Sequence, residues 1–267
     1  MDEHEWSRRR RSLKAAEIMK AAHLTMIQTI IGSGATLEIR TGLLMAFMLR
    51  ARHLMRSLEV LATESLMEEM WCLLRSFSEL VVDACYLYIS SEQEIANFIN
   101  YDSIAMNRYM RLFEEETKLK QQAISDPHRE LLQRYADKAA QISNLKSNAS
   151  SWTSTNTIDK AKAIDAVFKP SDSDQASPSV AFQGFVRSVF GSGHAYAHPS
   201  YSSLMPYMAT LQESKPLESP QREDRVDHVL SGGAHCLYTF GVFVNEKLSL
   251  NAENYFLVTA NLMKKPI

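Results

Sequence analysis

Between Arg187 and His198 the chain places one arginine and two histidines, in the run Arg187-Ser-Val-Phe-Gly-Ser-Gly-His194-Ala-Tyr196-Ala-His198-Pro199. A guanidinium stays charged at every physiological pH and can bind phosphate oxygens bidentately. An imidazole titrates near neutrality and can take or give a proton. Together they are a minimum set for cleaving a phosphodiester without a metal, provided a ribose 2′-hydroxyl is the nucleophile. Arg187 would neutralise the phosphate, His194 would remove the hydroxyl proton, and His198 would return one to the leaving oxygen. His194 and His198 are four apart, so a helix holding both presents them on one face. Gly191 and Gly193 stand inside the run and predict a bend or a close backbone approach. Structural roles compete with this chemistry. His198 precedes a proline and suits a helix C-terminus, where an imidazolium is favoured. His194 suits a satisfied core position.

A second cluster is Arg75-x3-Glu79-x3-Asp83. The four-residue repeat puts all three charges on one stripe of a helix. The neighbours are strongly apolar, and a charge among them must be paired or must line a cavity. An ion pair within the helix that also ties to a neighbouring helix is the structural reading; a polar site is the functional one.

Other chemistries find less support. His194 and His198 have the spacing of paired zinc ligands, but Ala195, Tyr196 and Ala197 leave no acidic residue between them. No metal and no cofactor are expected. Gly191-Ser-Gly193 and Gly232-Gly233 lack the Lys-Ser/Thr of a phosphate-binding loop, and there is no nucleophile elbow. Cys72, Cys85 and Cys236 are isolated from one another in apolar surroundings, which predicts buried free thiols.

The elements that must hold these residues read as helices. Only 9 glycines and 8 prolines occur in 267 residues, and the 13 methionines suit a helical core. Helical periodicity covers Ser12 to Ile31, broken by Gly32-Ser-Gly34, and again about Thr36 to Leu61. Ser65 and Glu68 form a capping-box pattern before a helix from Leu66 to about Ser90. The second half of that helix is apolar nearly all round, which makes it and its predecessor the expected centre of the bundle. Two helices follow, Glu92 to Asn100 and, capped by Asp102-Ser103, onward to Lys120. Asp126-Pro127 starts another, to about Lys146. After a short helix, 158–168, the loop signal is strongest at 169–179. Val180 to Phe190 leads into the Arg/His run. Val226 to Val244 is helical despite Gly232-Gly233 and an aromatic, β-branched tail, because no partner strand is evident. A last helix spans about Asn251 to Met263. The expected fold is all-α: a single multi-helix bundle of roughly eight to ten helices over 1–267, with a division near 147–157.

Hydrophobic residues make up 45% and charged residues 22%, with a net charge of −2, so the surface as a whole does not attract nucleic acid. Any RNA or DNA contact must be local or come from a partner. The run Arg8 to Arg11 is followed by Glu17, Lys20 and His23 rather than by an unbroken apolar stretch, and reads as a solvated helix start. The apolar run Gly42 to Leu49 is too short to span a bilayer. No membrane association and a cytoplasmic location are expected.

Arg187-x6-His194-Ala-Tyr196 resembles the R-x4–6-H signature of HEPN domains, which is often followed by H-x-Y. That resemblance implies a helical bundle and a metal-independent ribonuclease of the kind found in toxin–antitoxin, anti-phage and RNA-processing systems, with a cleft formed across a homodimer. Carried over, Arg187 would contact phosphate and His194 would be the general acid/base, with Ser188 where a polar residue often stands. This chain departs from the pattern in Gly191 and Gly193 and in being about twice the usual length. Residues from about 40 to 205 also resemble an uncharacterised bacterial helical family with an R-x3-E helix and a later H-P-S element. The matching residues are Arg75, Glu79 and Asp83, then Trp152, then His198-Pro-Ser200, with His194 in place of the usual serine. This second likeness implies that Arg75, Glu79 and His198 converge.

The expected site is therefore Arg187, His194 and His198, oriented by Arg75 and Glu79. The expected function is a HEPN-like ribonuclease, or a degenerate relative of one, in bacterial defence or stress response, with RNA as substrate and a homodimer or a protein partner. The alternative is a non-enzymatic helical interaction or sensor subunit whose polar cluster is structural.

Overall fold

The computed structural model describes residues 3–34, 37–64, 66–119, 125–140, 151–168, 182–197 and 223–264. Among the described residues every regular element is a helix. In chain order they are α1 (Glu3–Gly32), α2 (Ile39–Thr63), α3 (Met67–Ile89), α4 (Glu92–Leu119), α5 (Asp126–Ala140), α6 (Thr157–Val167), α7 (Phe182–Ala197), α8 (Glu223–Leu248) and α9 (Glu253–Lys264). The chain is an all-α helical protein, as its periodicity and low glycine and proline content predict. No described helix is long and apolar enough to cross a membrane.

The helices group into two compact units, one of residues 1–88 with 157–267 and a smaller one of residues 89–156. In the larger unit α1 and α2 form an antiparallel hairpin. Gly34, at φ +65°, ends the α1 segment in the left-handed region that glycine adopts without strain. Arg9 donates from Nη2 to the carbonyl of Ala62 at 2.6 Å, in the last turn of α2. One member of the basic run is thus spent on an orphan carbonyl at a helix C-terminus, where a cation is favoured, rather than left in solvent.

The most enclosed helix is α8. From Val226 to Asn245 it is buried on nearly every side; His228 is the one exposed residue of that stretch. Tyr238, Phe240 and Phe243 are among the largest fully buried side chains, each contributing roughly 1.5–3 kcal/mol of burial. The sequence pattern pointed instead to α2 and α3 as the centre. α3 is well buried, but Arg75, Glu79 and Asp83 keep one side of it polar. The glycines of α8 explain how it comes so close to its neighbours. A Cβ on Gly232 would lie 2.8 Å from Leu74 of α3, and one on Gly233 would lie 2.7 Å from Leu58 of α2. Small residues here let the backbones approach, so the Gly-Gly pair marks a contact rather than a break.

His23 of α1 is fully buried against α8, where its Nε2 donates to the carbonyl of Leu237 at 2.9 Å. That bond fixes the tautomer, because a carbonyl can only accept. Burial, with a contribution from the Arg52 charge, lowers its pKa to about 4. It is a neutral core residue.

In the smaller unit α4 runs unbroken from Glu92 to Leu119, where the sequence pattern predicted two helices. Asp102-Ser103 looked like a cap. Asn100 instead bonds back to the carbonyl of Ala96 at 2.9 Å, and Ser103 is buried within the helix. Polar residues that can cap can also satisfy themselves in mid-helix when burial favours continuity. Ser91 does cap α4, its Oγ accepting from the Glu94 amide at 3.3 Å. Trp152 is buried edge-on to Phe98, with ring centroids 5.5 Å apart.

Candidate functional site

The Arg/His segment lies on α7. Its start is held by α6: the Asp165 carboxylate accepts from the amides of Phe182 at 2.8 Å and Gln183 at 3.0 Å. A carboxylate on the first free N–H groups of a helix satisfies them and opposes the positive end of the dipole. Phe182 packs edge-on to both Phe168 and Phe243, so the end of α6, the start of α7 and the core helix α8 share one aromatic cluster. The position of α7 is therefore set by side chains distant from its chemistry.

Gly191 and Gly193 do not interrupt α7, which continues to Ala197. Over 191–197 the structure describes the backbone alone. Arg187 and His194 thus occupy one continuous helix, seven residues apart. At 100° per residue that separation falls within about 20° of two full turns and about 10 Å along the axis. Arg187 is exposed. His194 has its backbone on the same stripe, and His198 lies outside the described residues, as does the loop expected at 169–179.

The α3 stripe meets this helix. The Arg75 guanidinium stacks over the ring of Phe190, 4.8 Å from its centroid, and Phe190 lies between Arg187 and His194 in the chain. Arg75 also pairs within its own helix, Nε to Glu79 Oε1 at 3.4 Å, with side chains 24% and 39% exposed. Asp83 turns elsewhere, to Lys160 of α6, whose Nζ donates to Oδ1 at 2.7 Å. The Lys160 side chain is only 5% exposed. The stripe is thus divided between two neighbours, Arg75 on α7 and Asp83 on α6.

Sequence reasoning passed over three residues that build this region: Phe190, Lys160 and Asp165. Lys160 had a signal. It shares a helical stripe with Thr157, Ala161 and Ile164, so it stands on the apolar side of α6 and needed an acidic partner. Asp165 had none, since a cap contributed by another helix has no fixed spacing. Among the described residues no group of three or more His, Cys, Asp or Glu side chains could hold a metal ion. All three cysteines are free; Cys85 and Cys236 are buried, and burial pushes both thiols well up, away from the reactive thiolate.

The model of a family described as of unknown function, DUF5677, matches residues 41–215. The chain belongs to that family. The match takes in α2 through α7, and with them Arg75, Glu79, Lys160, Asp165 and Arg187. No similar protein was found among curated proteins, and no similar chain among solved structures.

Proposed function

We propose that this DUF5677 chain is a HEPN-like, metal-independent endoribonuclease of the bacterial cytoplasm, working in defence or stress response as a homodimer or with a protein partner. The observation that carries the reading is the unbroken course of α7, which aligns exposed Arg187 with the His194 position on one face. A guanidinium and an imidazole about two turns apart can reach the same phosphodiester, since both side chains extend several ångströms from the axis. Arg187 holds the non-bridging oxygens. His194 takes the proton of the 2′-hydroxyl, whose oxygen then bonds to phosphorus. The bond to the 5′-oxygen breaks, and His198 gives that oxygen its proton, leaving a 2′,3′-cyclic phosphate. Arg75 and Glu79 are positioning residues, acting on α7 through Phe190.

The test is cleavage of single-stranded RNA in EDTA by wild type, His194→Ala and Arg187→Ala. The expected result is a cyclic-phosphate product from wild type, no cutting of a strand with deoxyribose at the scissile position, and losses of about 10²-fold or more in the variants. Intact RNA with both pure protein and its partner complex would end the proposal, as would equal cutting by His194→Ala.

Two observations favour a second reading. The Asp83–Lys160 pair, with its lysine enclosed, and the stacked Arg75 are what a helical interaction subunit with a purely structural polar cluster would contain. Under it, His194→Ala and His198→Ala lower the melting temperature and alter no RNA product.

A further inference from the structure

The hairpin of α1 and α2 carries a groove of about 690 Å³ on its outer side. Two guanidiniums line it, Arg52 and Arg56 of α2, with the His53 imidazole beside them. Its single carboxylate, Glu59, is already committed, with both oxygens on Lys20 Nζ at 2.6 and 2.7 Å. Two arginine charges therefore face the groove without a carboxylate of their own among its lining residues. They are one helical turn apart, close enough for two guanidiniums to share one polyanion. Arg52 is half-buried where it lines the groove, its Nε enclosed by the protein itself. Apolar side chains line it too: Leu24 of α1 and Val60, one turn beyond Arg56 on α2, are 37% and 56% exposed.

We propose that this groove is a binding site for a small organic phosphate of nucleotide size. Arg52 and Arg56 take the phosphate oxygens bidentately, and His53 adds a donor at the rim. Leu24 and Val60 cover the organic part. The volume falls within the roughly 300–1,000 Å³ of small-molecule sites. Apolar side chains beside the arginines favour an organic phosphate over a bare ion. No residue of α7 takes part, so the site stands or falls apart from the ribonuclease proposal.

The experiment is calorimetric titration of the full chain with pyrophosphate, ADP and adenosine, in wild type, Arg52→Gln and Arg56→Gln. Pyrophosphate and ADP should both bind, ADP more tightly, and adenosine about tenfold or more weakly than ADP. Each variant should lose about tenfold or more for both phosphates, the size expected for a charge-assisted bond. Arg56 is exposed and Arg56→Gln leaves the core untouched, so its unliganded melting temperature should not move even if Arg52→Gln is less stable. The proposal is overturned if neither phosphate binds at millimolar concentration, if adenosine binds as well as ADP, or if Arg56→Gln binds as wild type does. Displacement of ADP by a short RNA at far lower concentration than pyrophosphate would also overturn it, making the groove a nucleic-acid surface.

Discussion

The Asp83–Lys160 pair should respond unequally to the loss of its two members. The Lys160 side chain is 5% exposed and that of Asp83 is 28% exposed, with 2.7 Å between Nζ and Oδ1. Removing one member of a buried pair typically costs about 3–5 kcal/mol, because the other charge stays in a poor solvent. Asp83→Asn leaves the lysine ammonium in its enclosed position facing a neutral amide. Some water reaches the pair from the Asp83 side, so the expected cost is about 2–3 kcal/mol rather than the full range. Lys160→Met leaves the charge on the side that water reaches and adds apolar burial on α6, so it should cost about 1 kcal/mol or less. The double variant Asp83→Asn, Lys160→Met, which closes the cycle on the two single variants, should cost little more than Lys160→Met alone. Urea unfolding followed by circular dichroism gives these values, with an unchanged slope as the check on two-state behaviour. In a chain of this size 1 kcal/mol shifts the melting temperature by roughly 2–4 °C. Asp83→Asn should then melt several degrees lower while Lys160→Met barely moves. Equal costs for the two single variants would refute the asymmetry. A double-mutant-cycle coupling below about 0.5 kcal/mol would refute the pair itself.

Three further predictions concern the scaffold. Because His23 titrates near 4 when folded and near 6.5 when unfolded, the unfolded chain binds the extra proton between those values. Stability is then complete above about pH 6.5 and falls towards pH 4, by up to about 3 kcal/mol, with His235, also lowered by burial, acting in the same direction. His23→Leu should be less stable at pH 7 but show a flatter profile over that window in denaturant titrations. Gly241→Ala would bring a Cβ within 2.9 Å of both Met19 and Phe256 and 3.1 Å of His23. The clash should outweigh the roughly 1 kcal/mol gained in helix propensity and leave a net loss of about 1–2 kcal/mol in urea unfolding. Asp165→Ala should cost about 1–2 kcal/mol and raise amide exchange at Phe182 and Gln183, with Asp165→Asn intermediate because its carbonyl oxygen still accepts one bond.

Much of the helical pattern was legible because burial follows a local period. Of the apolar side that the spacing predicts for α2, Leu44, Leu54 and Leu58 are in the core, while Leu43, Phe47 and Leu61 are half-buried at its edge. Where local signals conflict, the pattern misleads. Gly191 and Gly193 read as a bend and Asp102-Ser103 as a cap, yet both lie within continuous helices. A helix interior tolerates such residues when the packing of its flanks outweighs about 1 kcal/mol of propensity. The central place of α8 was hidden for a related reason. Glycines at 232 and 233 look like breakers in one dimension and become contact points only when Leu74 and Leu58 stand opposite.

The sequence alone determined the residue types that could do chemistry, the all-α class, and the alignment of Arg187 with His194 on any helix containing both. These follow from the fixed geometry of one helix. Which charges meet which partners was decided by tertiary structure. Arg75 on Phe190, Asp83 on Lys160, and Asp165 on the start of α7 join residues between 17 and 115 positions apart in the chain. No local period encodes such pairings. They are selected because each buried or half-buried charge must find a partner when the helices close, and only the packed arrangement says which one is in reach.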